Sequence, residues 1–217
     1  MNQIWLNAVR ASARAVAPWY LAGGAHAPIL AYQAKGAASM AVAKVNLVNP
    51  GTNDLVEVGT PAWDPARGFN RDSSIDNYLR TNYTPPATDQ DYTVIIQFVD
   101  GGAGFGTGFG TGVRNRLYVF SRPTANTDTV YGNGAAKSVP GAITAGNMAV
   151  SGDIAYFNGS PLAGAITAGT TARAEMFVVA VNGLANNQDG YFVAGALYRP
   201  ALSAAQTAAV AAAMAAL

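Results

Sequence analysis

Short runs of β-branched and aromatic residues, separated by Gly, Pro, Asn and Asp at intervals of about ten residues, make up most of the chain after residue 28. The most regular run lies between Tyr92 and Val99, where every second residue from Tyr92 is apolar. Ile95 and Val99 make its other face partly apolar, which predicts a strand covered on both sides. The remaining candidate strands span residues 29–32, 45–48, 55–58, 78–80, 116–121, 153–158, 175–181 and 191–198.

The connections between these runs predict antiparallel pairing. Asn158 and Gly159 separate two apolar runs, and both residues adopt the positive φ angles of a type I′ hairpin turn at low cost. The middle of the chain lacks the alternation of strands and helices that is typical of parallel sheets. We therefore expect an all-β fold in which two antiparallel sheets pack face to face as a sandwich.

A helical pattern marks the N-terminal end of the sequence. Apolar residues recur at near-helical spacing over residues 4–16, and Pro18 ends the pattern. Residues 19–24 then form an apolar joint that ends in two glycines. Two interpretations stay open. The segment is an arm that contacts other subunits, or Trp5 and Trp19 fold back into the protein's own core.

A second helical pattern lies at the C-terminal end. Ser203 and Gln206 have the spacing of a capping box, in which each side chain bonds to the other residue's backbone amide. The alanine-rich run that follows has high helix propensity. The expected organisation is an N-terminal arm and joint (1–24), a β-sandwich (25–202) and a C-terminal helix packed on the sandwich (203–217).

Composition narrows the range of functions. Charged residues make up 12% of the chain and the formal net charge is +1, which gives no reason to expect nucleic acid as a partner. A small, neutral surface favours contact between subunits, because little charge has to be desolvated. With no Cys and one His, His26, thiolate and His-cluster metal sites are excluded. No apolar run approaches the roughly 18 to 20 residues that span a bilayer, so membrane insertion is not expected.

Glycines are concentrated over residues 101–112, where Gly-Phe-Gly-Thr occurs twice in tandem. A phosphate-binding loop needs a helix N-terminus directly after its glycines, whereas a strand is expected to follow this segment. We therefore interpret this segment as an inter-strand loop. Its Phe105 and Phe109 are expected to contact a neighbouring surface, either in this protein or in another subunit.

The carboxylates show no catalytic pattern. Glu57 and Glu175 are the only glutamates, and no strand carries the alternating carboxylates of β-sandwich glycosidases. Loop Asp and Asn residues have no fixed calcium-binding spacing. We expect no catalytic residues, no cofactor and no metal. Some aromatic residues could stack on a sugar, although aromatic residues of a sandwich more often lie in its core. These candidates are Tyr20, Tyr32, Trp63, Tyr78 and Tyr83.

Two groups of segments resemble known families. Residues 156–163, Tyr-Phe-Asn-Gly-Ser-Pro-Leu-Ala, and residues 195–206 resemble the closing half of laminin-G/concanavalin A-like domains. Residues 19–24, 31–39 and 46–52 are similar to the opening of tailed-bacteriophage and prophage proteins with this lectin-like fold. The resemblance implies a jelly-roll sandwich in a phage structural protein. It brings no calcium-ligand set and no glycosidase carboxylates, so sugar binding does not follow from it.

These features lead to a functional expectation. The chain is expected to be a non-enzymatic bacteriophage virion protein, made in the host bacterial cytoplasm, and a head-decoration (capsid-stabilising) or other accessory subunit. Its expected partners are the major capsid protein or tail proteins and further copies of itself, for which a trimer is one candidate. The alternative is a tail-fibre or baseplate module that binds host glycans, and a glycoside-active enzyme comes third. The residues expected to make virion or subunit contacts are Ile4, Trp5, Val9, Trp19, Tyr20, Phe105 and Phe109.

Deletion of residues 1–18 tests the arm interpretation. We expect the truncated chain to be absent from purified particles, because the deletion removes the apolar contacts that attach the subunit. Immunoblotting of particles and of the cell extract measures incorporation against expression. Unchanged incorporation would rule out the arm as the attachment segment.

Overall fold

The structure, a computed structural model, describes residues 17–71, 77–86, 91–100, 104–107, 116–120, 129–139, 144–164, 166, 175–178 and 190–217. It has two antiparallel β-sheets and a short C-terminal helix, which confirms the predicted all-β sandwich at this level. In chain order the elements are a 3-10 segment (Trp19–Gly24), β1 (Leu30–Gln33), α1 (Met40–Ala43), β2 (Val56–Val58), β3 (Ala62–Asp64), β4 (Gly68–Arg71), β5 (Tyr78–Arg80), β6 (Thr93–Val99), β7 (Gly104–Thr107), β8 (Arg116–Phe120), β9 (Thr129–Val139), β10 (Gly146–Ser151), β11 (Ile154–Phe157), β12 (Ser160–Pro161), β13 (Met176–Val178), β14 (Gly190–Tyr198) and α2 (Ala204–Ala215).

The described strands form two sheets, A and B. Sheet A has the order β12-β11-β10-β6-β14-β4-β3, with β1 also paired to β14, and sheet B has the order β2-β5-β13-β7-β8-β9. The main core lies between them. Its buried residues include Val94, Ile96 and Phe98 of sheet A, together with Leu79 and Val178 of sheet B. The predicted hairpin is confirmed by positive φ angles at its two turn residues, Asn158 (48°) and Gly159 (78°).

Strands β6 and β14 form the centre of sheet A. As predicted for a strand covered on both sides, β6 places Ile96 in the core between the sheets and Ile95 in a second core on the outer face. All nine residues of β14 are buried. The edge of β14 that faces away from β6 pairs with β4 over residues 190–192 and with β1 over residues 194–197. At the bulge between these two stretches, the Val193 carbonyl accepts hydrogen bonds from Ala34 and Lys35 N–H.

Helix α2 covers the outer face of sheet A. The predicted capping box is present, since Gln206 N–H donates to Ser203 Oγ (3.3 Å) and Ser203 N–H donates to Gln206 Oε1 (3.0 Å). Gln206 Nε2 also donates to the Gly24 carbonyl (3.0 Å), and Asn147 Nδ2 donates to the Ala211 carbonyl (3.0 Å). These bonds tie the helix to the 3-10 segment and to β10. The second core contains Trp19, Ile95, Ala149, Tyr156, Ala196, Tyr198, Val210 and Met214.

The strand predicted over residues 45–48 is wrong. The segment is a turn, in which the fully buried Asn46 accepts a hydrogen bond at Oδ1 from Ala31 N–H (3.2 Å). Leu47 N–H donates to the Ala31 carbonyl (2.8 Å). The outer edge of β1 is thus satisfied by a side-chain amide and a turn instead of another strand.

The prediction for the glycine-rich segment is wrong in part. Gly104–Thr107 is strand β7, which pairs with β13 and β8 inside sheet B, whereas the sequence predicted a loop over residues 101–112. Strands β3, β4, β9 and β10 were also not predicted, because they are short, polar or rich in glycine. Their backbones pair because neighbouring strands supply donors and acceptors whatever the side chains prefer.

Two glycines allow the packing against β14 to be tested. Gly68 has φ 115°, and a Cβ there would lie 2.1 Å from the Phe192 carbonyl oxygen, whereas Gly36 has φ 76° and open space around it. We expect Gly68→Ala to lower the free energy of unfolding by about 3 kcal/mol or more and Gly36→Ala by about 1 kcal/mol. Denaturant unfolding measures both values. Equal losses would show that β14 does not restrict residue 68.

Candidate functional site

The outer faces of the two sheets differ in how they are covered. Helix α2 packs over the centre of the outer face of sheet A. No described helix packs over the outer face of sheet B. In β5 and β13, Leu79 and Val178 point into the core, so the residues that alternate with them face outward. We call this surface the open face of sheet B. Its members are Val56, Val58, Tyr78, Arg80, Glu175 and Phe177, with Gly106 in the same row as Phe177.

Two aromatic rings meet on the open face. Tyr78 and Phe177 lie on adjacent strands, and their ring centroids are 5.2 Å apart with the planes at 86°, an edge-to-face pair. Both side chains are half-buried, and nearby Val56 is 47% exposed. The two rings are nearly perpendicular, so together they form an apolar corner, which we call the aromatic corner. Such a corner suits a ligand that has one apolar face.

An ion pair lies beside the rings. Arg80 donates from Nη2 (2.7 Å) and Nε (3.0 Å) to Glu175 Oε2, and Asn82 N–H donates to Glu175 Oε1 (2.7 Å). The hydrogen bonds and charge of Glu175 raise the pKa of Arg80 above its usual range. Within the described residues, Nη1 of Arg80 has no hydrogen-bond partner. The pair therefore presents fixed donors and acceptors with no net charge.

Strand β7 places glycine beside these side chains. Gly106 pairs with Phe177 on one side and with Tyr118 on the other, and directly opposed residues share one face of a sheet. Gly104, two residues earlier, belongs to the same face. Glycine has no side chain, so β7 adds a flat floor next to the aromatic corner. The Gly-Phe-Gly alternation is the signal of this strand in the sequence, although the density of glycines predicts a loop.

The structure locates three of the expected contact residues. Trp19 is 8% exposed and lies in the second core. For this residue the structure has the alternative in which the side chain folds back into the protein's own core. Tyr20 is half-buried, meets Trp19 edge to face at 5.5 Å, and donates its hydroxyl hydrogen to the Leu47 carbonyl (3.4 Å). Phe105 pairs in β7 with the buried Val178 and Val119. The other expected contact residues, Ile4, Trp5, Val9 and Phe109, lie outside the described residues.

Other aromatic candidates serve the fold. Tyr32 is fully buried, burial raises its pKa, and its hydroxyl donates to the Asn53 carbonyl (2.5 Å). Trp63 packs against the main core, and its Nε1 donates to the Ala34 carbonyl (2.9 Å). Tyr83 also packs on that core. Among the five aromatic residues considered for sugar stacking, Tyr78 is the one on the open face.

Both glutamates are in ion pairs. Glu57 bonds to Lys44 Nζ (2.6 Å), and Glu175 bonds to Arg80 as described above. Among the described residues, no three His, Cys, Asp or Glu side chains are grouped so that they could hold a metal ion. In the same part of the chain, no helix is long and apolar enough to cross a bilayer.

A second polar cluster lies at the end of sheet A. The Arg67 guanidinium lies 4.1 Å above the Tyr191 ring centroid and donates to Asp64 and Asp100, each at 3.2 Å. The Ala66 amide and the Arg67 side chain hold the pKa of Asp64 below its usual range. The cluster joins the β3–β4 turn to the residue that follows β6. Because Arg67 already covers the Tyr191 ring, we interpret the cluster as a clamp and not as a binding surface.

Comparisons with known proteins establish the fold alone. No protein-family model and no curated protein sequence matches the chain. Trypanosoma rangeli sialidase in complex with sialic acid has a TM-score of 0.56 at 13% identity, covering 95% of this chain and 37% of that one. The botulinum neurotoxin serotype D binding domain has a TM-score of 0.58 at 12% identity, covering 85% and 51%. The receptor binding domain of botulinum neurotoxin C/D mosaic serotype has a TM-score of 0.52 at 12% identity, covering 85% and 51%. The chain thus spans about a third to a half of these neighbours.

Proposed function

We propose that the chain is a non-enzymatic, concanavalin A-like jelly-roll module that binds glycans through the open face of sheet B. The observation that carries this proposal is the aromatic corner of Tyr78 and Phe177 beside the Arg80–Glu175 pair. A sugar ring has an apolar face and a polar edge, and the corner and the ion pair match these two features. Sites of this kind combine aromatic walls with a few placed polar groups.

The state of the carboxylates supports binding over hydrolysis. Most glycosidases use one carboxylic acid and one carboxylate on either side of the bond that breaks. Each glutamate of this chain is instead held by a cation, Glu57 by Lys44 and Glu175 by Arg80. Both carboxylates are thus engaged in ion pairs and are not opposed to each other across a cleft, in the part of the chain that the structure describes.

The setting that we propose is the particle of a tailed bacteriophage, where the module serves as a tail-fibre or baseplate receptor-binding subunit. The sequence resemblance of residues 19–24, 31–39 and 46–52 supports this setting. The structural neighbours support the binding role, since two of them are toxin binding domains and the third is complexed with a sugar.

The open face is tested with a glycan array. We expect the folded protein to bind at least one glycan class, and Phe177→Ala to weaken binding about tenfold or more, because the substitution removes the ring on which the sugar packs. Ile154→Ala, which truncates a 36% exposed residue on sheet A, serves as the matched control. Equal effects of the two substitutions, or no binding by the unmodified protein, would refute the proposal.

Head decoration is the second candidate function. The low share of charged residues, 12%, favours it, because neutral surfaces pack against neighbouring subunits at little desolvation cost. Partners would then be the major capsid protein and further copies of this chain.

Counting copies in purified particles separates the two candidates. Quantitative mass spectrometry gives the ratio of this chain to the major capsid protein. We expect a few to a few dozen copies per particle, because tail fibres and baseplates are present in small symmetric sets. Hundreds of copies would support head decoration, and absence from the particle would overturn both settings.

A further inference from the structure

We infer that the open face selects neutral glycans, whose adjacent hydroxyl groups bind along the exposed edge of the Arg80–Glu175 pair. This inference rests on the proposed function, since it names the class of glycan that the same face takes. Three observations carry it: the charge balance of the face, the unused donors of Arg80, and the position of Phe177.

At the Arg80–Glu175 pair, charge balance disfavours an anionic ligand. Among the described side chains of the open face, the charged ones are Arg80 and Glu175, and they neutralise each other at 2.7 Å. At the neighbouring edge of the sheet, Lys44 and Glu57 form a second neutral pair at 2.6 Å. A sialic acid or uronic acid carboxylate would therefore meet a cation whose charge is already matched, while Glu175 would repel it.

The hydrogen-bonding groups of the pair match a diol. A hydroxyl group has one donor and two acceptor sites, so two adjacent hydroxyls can accept from a guanidinium and donate to a carboxylate. Arg80 uses Nε and Nη2 on Glu175 and keeps the Nη1 hydrogens for a ligand, within the described residues. Arg80 is 46% exposed, so these hydrogens lie at the surface. Both contacts would be charge-assisted and therefore stronger than neutral ones.

The aromatic ring is in the right place for the same sugar. Phe177 pairs directly with Arg80 across β5 and β13, so the ring and the guanidinium are neighbours on one face. Asn82 N–H fixes the Glu175 carboxylate at 2.7 Å, which keeps the polar groups in position before the ligand arrives. A hexose can therefore pack its C–H face on the ring while its hydroxyl edge meets the ion pair.

The experiment measures selectivity by isothermal titration. The neutral probes are maltopentaose, mannopentaose and galactotetraose, and the acidic probes are sialyllactose and tetragalacturonate. We expect the unmodified protein to bind at least one neutral probe about tenfold or more tightly than either acidic probe, with little change between low and high salt. Tighter binding of an acidic probe would overturn the inference but leave glycan binding intact, whereas no binding of any probe or array glycan would overturn the proposed function.

The Glu175→Gln variant tests the role of the ion pair. This substitution leaves the Arg80 charge unmatched, so we expect binding of the neutral probe to weaken about tenfold and binding of the acidic probes to strengthen. Glu57→Gln removes the same charge from the Lys44 pair and should leave selectivity unchanged. Thermal unfolding measures whether each of the two variants is folded. A folded Glu175→Gln variant with unchanged selectivity would overturn the inference, and if that variant does not fold, the probe preference of the unmodified protein decides.

Discussion

The burial of β6 and β14 on both faces is the constraint on which the rest of this structure depends. The two strands pair over seven residues of β6, and both of their faces are apolar. Such a sheet needs a cover on each side. Sheet B supplies one cover, and α2 with the 3-10 segment supplies the other. The arrangement of the ends of the described chain follows from this requirement, because Trp19 and Met214 complete the same core.

The same constraint explains why the candidate site lies on sheet B. The centre of sheet A is covered on both faces, whereas sheet B is covered only from within, in the part of the chain that the structure describes. Its outward residues are therefore free to combine apolar rings, an ion pair and glycine. The Tyr78–Phe177 corner gains stability from the contact between its rings, and the Arg80–Glu175 pair is held in place by Asn82. A surface organised in this way before binding loses little conformational entropy when a ligand arrives.

Polar side chains connect the elements that strand pairing leaves apart. Asn46 satisfies the edge of β1, Asn147 joins β10 to α2, and Gln206 joins α2 to the 3-10 segment. Each amide carries both donors and an acceptor, so one residue can link two backbone segments. Losing the Asn46 or the Asn147 link would leave a backbone group of a buried residue without a partner, which costs more than the bond itself contributes.

Features that depend on neighbours in the chain could be predicted from the sequence. The two-sided β6 strand, the Asn158-Gly159 hairpin and the Ser203–Gln206 capping box are of this kind, because periodicity, turn conformation and capping are local properties. The β7 strand and the Asn46 turn depend on partners distant in sequence, and only the tertiary structure decided them. The candidate site is of this second kind as well. Arg80 and Glu175 are 95 residues apart, and no local pattern indicates that β5 and β13 bring them together.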